Sequence, residues 1–430
     1  MIEQIDRESS LQRAKEVFKI AKNRSRFYKN KYASVLENDD WENIPFLTRD
    51  ELYKNTYPRT KDMLTRDLEG VVITSTGGSS GMARYGVLTH KEFDEYCSVQ
   101  AESLKLIGVS KYDFVANLFV AGNLWPSFFA LANVIEKIGA THLPISANIE
   151  MEKILGYIME FRATTLLSLP TVFIFLADLV LKNNLDASFV KTIGYAGEHM
   201  SDMIKSHLKK AFKNANIESL GYTSADCGLM GYQCKKCSSL EYHIPSGFQY
   251  IEIYNFEENR VCAAGEKGEI VVTNLGRNSL PIIRYRIGDI GRFKKDRCEC
   301  DDANPILILE GRAGEDFKIG GAYISIDAVE SAIEEFVSLD GISANYQFIL
   351  EDIDENKMKA TLQIESSDIK QSSLHTKSIE ESLKKEIDEL KVGEEMGYLR
   401  TEVTFVANGV LERSPITGKI KHFSDLRIGR

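Results

Sequence analysis

A chain of 430 residues exceeds the length at which a single hydrophobic core stops growing, so at least two domains are expected. With 43% hydrophobic and 27% charged residues its usage is that of an ordinary globular protein, and no apolar run is long enough to span a membrane. A net charge of −10 argues against a general nucleic-acid surface, and the polar, acidic opening Met1-Ile2-Glu3-Gln4-Ile5-Asp6-Arg7 lacks the basic and then apolar pattern of a signal peptide, so a cytoplasmic protein with no membrane and no nucleic-acid partner is expected.

Residues 7 to 36 show helical spacing, with Leu11, Ala14, Val17, Phe18 and Ala21 on one face, and Thr48 is a plausible N-cap for a second helix. Val71-Val72-Ile73 reads as the end of a buried strand. It leads into Thr74-Ser75-Thr76-Gly77-Gly78-Ser79-Ser80-Gly81, a run of small residues that are all glycine or hydroxyl-bearing. Such a run can wrap phosphate oxygens with backbone N–H groups and hydroxyls, or serve as a flexible linker. It is no Walker loop, because Met82-Ala83-Arg84 follows where Gly-Lys-Ser/Thr and a long helix are needed.

From residue 87 strand-like and helix-like segments alternate. Val87 to Thr89, Phe114 to Phe119, Ala140 to Pro144, Thr165 to Leu169, Val190 to Ala196 and Ile217 to Leu220 read as strands, and His90 to Leu106, Trp125 to Ile138, Ile149 to Glu160, Val172 to Leu181 and Met200 to Ala211 as helices. That alternation implies a doubly wound, mainly parallel α/β sheet. Glu252 to Tyr254 and Gly268 to Thr273 read as antiparallel strands. Beyond Arg312 the pattern is again α/β but small, with a helix at 326 to 336, strands near 344 to 350, 359 to 364 and 402 to 406, a charged helix from 378 to 390 and a low-complexity linker at 364 to 375. The expected architecture is thus a large N-terminal domain, 1–311, with parallel and antiparallel sheets, and a small mobile α+β domain, 312–430.

The seven cysteines are unevenly placed. Cys234 and Cys237 form a C-x-x-C with His243 close behind, and Cys298 and Cys300 form a C-x-C some sixty residues later. Thiolates and imidazole suit tetrahedral, structural zinc, and these five candidates compete for four positions. Cys97, Cys227 and Cys262 read as small buried residues.

Five landmarks in a fixed order resemble the acyl-adenylate-forming superfamily, most closely its phenylacetate-coenzyme A ligase-like branch. They are the Thr74 to Gly81 run, Gly221-Tyr222-Thr223-Ser224-Ala225-Asp226, Tyr285-Arg286-Ile287-Gly288-Asp289, Gly311-Arg312, and Thr417-Gly418-Lys419 near the C-terminus. The resemblance covers roughly residues 60 to 425. It implies that ATP and Mg²⁺ are bound, that a carboxylic acid is activated as acyl-AMP with release of pyrophosphate, and that the acyl group then passes to a thiol.

Residue by residue, the resemblance assigns Thr74, Ser75, Thr76, Gly77, Gly78, Ser79, Ser80 and Gly81 to the β- and γ-phosphates. Arg84 supplies the positive charge where the family has a proline and lysine after the last glycine. Tyr222 stacks on adenine, with Gly221, Thr223 and Ser224 beside the α-phosphate and Asp226, one methylene shorter than the family's Glu, on magnesium. Gly197 and Glu198 line the adenine and acyl pockets, Asp289 takes the ribose hydroxyls, Arg312 marks the joint between domains and Lys419 serves the first half-reaction. Gly314 stands where the family has an Asp. The branch also places Cys and His residues where Cys234, Cys237, His243, Cys298 and Cys300 stand.

Apolar and aromatic residues at 117 to 119, 122 to 125 and 168 to 170 suit an aryl or medium acyl group, or the core. Coenzyme A, a carrier-protein phosphopantetheine and an amine all remain open as acceptor, and an acyl carrier protein and a homodimer as partners. The changes at Ala83, Arg84, Asp226 and Gly314 leave a second possibility, a zinc-stabilised nucleotide- or acyl-binding protein without catalysis.

Overall fold

The computed structural model describes residues 2–36, 39–76, 83–198, 200–238, 240–312, 317–319, 322–324, 326–354, 357–413 and 420–427. A five-stranded parallel sheet lies in its first half, in the order Thr141–Leu143, Phe114–Asn117, Thr165–Ser168, Thr192–Tyr195, Asn216–Ser219. Strands with every residue buried, as in Thr165–Ser168 and Thr192–Tyr195, need a layer on each face. Successive residues supply it: Val115 and Leu167 pack with the helices His90–Leu106 and Pro126–Ile138, whereas Ala116 and Leu166 pack with Met151–Phe161, Pro170–Lys182 and Asp202–Ala211. The doubly wound expectation is borne out.

A six-stranded sheet follows, with its neighbours in the list antiparallel: Glu241–His243, Ile306–Arg312, Tyr285–Phe293, Gly268–Asn274, Gln249–Asn255, Arg260–Val261. The helix Arg7–Arg24 packs its Ala14, Val17, Phe18 and Ala21 face on the same core. Inside that core Arg284, 0% exposed, is paired with Glu252 at 3.0 Å and donates to the carbonyls of Glu42 and Ile44 at 2.7 Å. The indole of Trp41 donates to the same carboxylate at 3.0 Å. A fully desolvated pair of this kind tolerates loss of either member badly, at about 3–5 kcal/mol.

The last strands, Leu399–Ala407, Lys357–Ser366, Ile342–Asp354 and Phe423–Asp425, form a third sheet, parallel at its two outer pairings and antiparallel between. Its core is continuous with the lower layer of the parallel sheet. A polar contact crosses the same junction. His207 Nδ1 lies 2.7 Å from Ser338 Oγ and its Nε2 2.9 Å from Asp178, which also accepts from Ser343 Oγ at 3.2 Å.

Three local expectations are corrected. The first helical stretch breaks at Ser25, whose hydroxyl caps the short helix Arg26–Lys31 and bonds the carbonyl of Asp62. The stretch at 364 to 375 is not a linker: its first residues complete the strand Lys357–Ser366, and buried Ser366 and Ser372 join hydroxyls at 2.6 Å before the helix Thr376–Glu386. The charged helix at 378 to 390 is two helices, broken at Ile387, where φ is −128° and ψ 89°. Two of the serines that look like linker composition, Ser366 and Ser372, are here buried and bonded to each other.

Candidate active site and metal centre

The first residues of the glycine and serine run belong to a β-hairpin. Val71–Ser75 pairs antiparallel with Tyr85–Thr89, Thr74 facing Gly86, and beyond them Thr76 and Arg84 close the base. The Thr76 N–H donates to the Arg84 carbonyl at 2.9 Å, and the Arg84 N–H to Thr76 Oγ1 at 3.0 Å. Thr74 and Ser75 are buried, and the Ser75 N–H is committed to the Leu124 carbonyl at 2.8 Å. Gly77, Gly78, Ser79, Ser80 and Gly81 lie outside the described residues.

At that base the Arg84 guanidinium turns away from the hairpin to Asp226, with Nε and Nη2 at 2.9 and 2.8 Å from one carboxylate oxygen. The hydroxyl of Tyr285 donates to the same oxygen at 3.1 Å. Burial works against the Arg84 charge and Asp226 outweighs it, so the guanidinium is held firmly protonated. The predicted catalytic cation and the predicted magnesium carboxylate thus meet as an ion pair, a contact between segments 142 positions apart.

The strand Tyr222–Ser224 carries the adenine segment. Gly221 enters it at φ +121°, and a Cβ there would stand 2.7 Å from the Gly231 carbonyl, so only glycine fits. Tyr222 is 9% exposed, and its hydroxyl donates to Asp289 at 2.5 Å. Asp289 sits within the strand Tyr285–Phe293 rather than at a free turn, next to Gly288 at φ +86°. Across the ladder its partner is Arg312, so the predicted ribose ligand and the predicted joint are backbone neighbours. Gly197 is exposed at φ +84°. Glu198 accepts from the N–H and hydroxyl of Thr171 at 2.9 and 2.8 Å, at the start of the helix Pro170–Lys182. Lys419 lies outside the described residues, as does Gly314; of Arg312 only the backbone is described.

Asp289→Ala is expected to weaken ATP binding by about 1–3 kcal/mol, the worth of a lost charge-assisted pair, and a melting curve separates this from the stability lost with the acceptor of the buried Tyr222 hydroxyl. Calorimetric titration of ATP checks it, and unchanged affinity removes the ribose assignment.

Two groups were given no role by the sequence reading: Tyr285, quoted only as part of its landmark, and Arg277. Tyr285 and Asp289 share the buried face of one strand by period-two alternation, a signal the sequence did carry. Arg277 is 3% exposed and donates to the carbonyls of Asp226 at 2.6 Å and Val87 at 3.3 Å. No spacing rule pointed to it.

The metal candidates converge. Cys234, Cys237, His243 and Cys298 place their donor atoms within 4.8 Å of one another. The sulfurs of Cys237 and Cys298 are each 3.6 Å from that of Cys234. Thiolates sharing a tetrahedral zinc at ~2.3 Å stand about 3.7 Å apart, so the spacing fits. His243 Nδ1 donates to the Asn304 carbonyl at 3.0 Å, which turns Nε2 toward the sulfurs and is the orienting bond such ligands usually have. Burial raises the Cys298 thiol, but the N–H of Cys300 and the neighbouring groups outweigh it and bring the pKa to about 7. Burial lowers that of His243, and the Asn304 carbonyl with the Cys234 and Cys298 sulfurs lifts it to about 9. Cys300 falls outside the group of four, with its sulfur 3.4 Å from His243 Nε2. Cys97, Cys227 and Cys262 are buried, as expected.

No known family profile matches the chain. It is 23% identical to phenylacetate-coenzyme A ligase of Escherichia coli (strain K12) over 347 residues, 78% of this chain and 77% of the relative. It is 22% identical to the enzyme of that name from Pseudomonas putida, over 91% of this chain and 85% of the relative. Among solved structures, 2-hydroxyisobutyryl-CoA ligase in the postadenylation state in complex with 2-HIB-AMP superposes with a TM-score of 0.81 at 18% identity, covering 97% of this chain and 89% of that one. The expected fold and the resemblance to the phenylacetate-coenzyme A ligase-like branch of the acyl-adenylate-forming superfamily are borne out, and the expected class of acid–thiol ligase agrees with the names of these relatives.

Proposed function

We propose that this chain joins a carboxylic acid, aromatic in character, to AMP and then transfers the acyl group to a thiol, that of coenzyme A or of a carrier-protein phosphopantetheine. The observation that carries the reading is the meeting of Arg84, Asp226 and Tyr285 at the base of the glycine and serine hairpin, with the Tyr222–Asp289 pair also drawn from the Tyr222–Ser224 and Tyr285–Phe293 strands. Segments far apart in sequence bring Arg84, Asp226 and Tyr285 together, and others join Tyr222 to Asp289. A binding surface for a neutral ligand has no use for that set.

In the first step a carboxylate oxygen of the acid attacks the α-phosphorus and the bond to pyrophosphate breaks. Negative charge shifts to the leaving group, so fixed cations and donors supply most of the catalysis. Arg84 answers this charge by giving up part of its pairing with Asp226, and Asp289 holds the ribose. Asp226 is the carboxylate that would hold a magnesium ion, which would add charge neutralisation at the phosphates. Lys419 reaches the carboxylate and α-phosphate from the 312–430 unit, which swivels about Arg312 between half-reactions. In the second step the thiolate attacks the acyl carbon and AMP leaves. Cys234, Cys237, His243 and Cys298 would hold a zinc ion, which would tie the two loops together as a structural site.

Acid-dependent exchange of labelled pyrophosphate into ATP, run over a panel of aromatic and aliphatic acids, tests the reading. Exchange with at least one aromatic acid is expected. No exchange with any acid by protein that still binds ATP sinks the ligase reading in favour of a non-catalytic binding protein.

A further inference from the structure

We infer that Arg413 is a positioning residue for the first half-reaction: seated on the ring of Phe175, it holds the segment that ends in Lys419 against the helix Pro170–Lys182. The inference rests on the ligase reading and adds to it the device that aims the lysine.

The lysine segment is fixed at one point. Arg413 and Ile420 form an antiparallel bridge, so residues 414–419 are bounded on both sides by this pair, and Lys419 is the residue next to Ile420. Arg413 is the rigid member. Its Nη2 donates to both oxygens of Glu365 at 2.9 and 3.0 Å, and its Nη1 to the Leu411 carbonyl at 3.2 Å. Glu365 is fully buried and also accepts from the Gly409 N–H at 2.8 Å and from Asn345 Nδ2 at 2.9 Å. A planar guanidinium clamped along its edge keeps its orientation and still has a face to stack.

That face meets the other unit. The Arg413 guanidinium lies 5.3 Å from the centroid of the Phe175 ring, within the range of a cation–π contact. Phe175 is half-buried on its helix, with Thr171 four positions before it and Asp178 three after, a spacing that puts all three on one face. Asp178 accepts from the Ser343 hydroxyl at 3.2 Å, a second point at which the C-terminal unit rests on this face. Thr171 donates its N–H and hydroxyl to Glu198 at 2.9 and 2.8 Å. From Thr171 to Phe175 is one turn, about 6 Å along the helix axis. The seat of Arg413 is therefore one turn from the segment expected to line the adenine and acyl pockets, a gap that suits a lysine on a long stem shortly after Arg413. A reacting group displaced by about 1 Å slows the step it serves, so the firmness of this seat sets a rate.

Labelled-pyrophosphate exchange over a panel of acids, benzoate, phenylacetate and acetate among them, reads the first half-reaction. Release of AMP by pantetheine, the thiol end common to coenzyme A and a carrier protein, reads the second, from the adenylate of the acid that exchanges fastest. Phe175→Leu leaves the Arg413–Glu365 pair in place and removes the ring. It is expected to lower kcat for exchange about 3- to 30-fold, with ATP affinity and AMP release held within about twofold. Phe175→Tyr keeps the ring face and is expected to recover the exchange that Phe175→Leu loses. Arg413→Gln, which keeps a donor for Glu365, is expected to slow exchange in the same way, and the two changes together no more than the worse one alone, since they remove one contact. Should Arg413→Gln fail to fold, the two Phe175 variants still decide. Unchanged exchange in Phe175→Leu, an equal fall in both half-reactions, or effects that add in full overturn the inference and leave the ligase intact. No exchange with any acid by wild type overturns the ligase reading and the inference with it.

Discussion

Lys419→Ala is expected to lower adenylate formation from acid and ATP by at least about 100-fold, the usual effect of removing one charge that stabilises a transition state. Thioester formation from supplied acyl-adenylate should stay within about threefold of wild type. The asymmetry follows from the lysine serving one orientation of the small unit only. The chain that carries it is anchored on both sides: Arg413 and Ile420 form an antiparallel bridge across the residues between. Arg413 is tied to fully buried Glu365 at 2.9 and 3.0 Å, and its guanidinium lies 5.3 Å from the ring of Phe175 on the helix Pro170–Lys182. This arrangement seats the C-terminal sheet against the parallel-sheet unit. A swivel would have to part Ser338 and Ser343 from His207 and Asp178 and also open the apolar core that the C-terminal sheet shares with the parallel-sheet layer. Separate assays of the two half-reactions check the prediction, and an equal fall in both removes domain alternation from the mechanism.

The parts of the fold that were legible are those where one physical signal dominates. Strands of the parallel sheet are short apolar runs between amphipathic helices, and Pro126 and Pro170 open their helices where their missing N–H costs nothing. Thr48 accepts from the Glu51 N–H and closes a capping box, a pattern visible as Thr-x-x-Glu. Illegible parts depend on partners remote in sequence. Ser25 breaks a helix because the Asp62 carbonyl is there to receive it, and Asp289 belongs to a strand because Ile306–Arg312 pairs with it. At the site, residue types were readable and their pairings were not. Nothing in the order of residues says that Arg84 faces Asp226 or that Tyr222 spends its hydroxyl on Asp289, since each contact is made by tertiary packing. Likewise the five metal candidates were plain, but choosing Cys298 over Cys300 needed the turn before Ile306 to be folded.

Purified protein is expected to contain about one zinc per chain, held by Cys234, Cys237, His243 and Cys298. The distinction between the two neighbouring cysteines gives the test its edge: Cys298→Ser should lose the metal, and Cys300→Ser should keep it. Cys237 and Cys298 are 61 positions apart, and a cross-link over a loop of that size removes unfolded-state entropy of about 4 kcal/mol on the scale used for disulfides. For a folding unit of residues 1–311, a loss of that size lowers the melting midpoint by roughly 6 °C. The same loss should leave turnover of the surviving fold nearly unchanged. The metal turn lies beyond the Phe293 end of the strand Tyr285–Phe293, about 13 Å along the strand from Asp289, and the returning strand Ile306–Arg312 pairs with His243 at the metal end and with Asp289 at the other. Because thiolates and a neutral imidazole are the ligands, protons compete with the metal, so affinity should fall as pH drops. Elemental analysis with melting curves of wild type and both variants decides the matter. Stoichiometric zinc in Cys298→Ser rules out the bridged site, and protein purified without chelator that holds no zinc rules out the metal centre altogether.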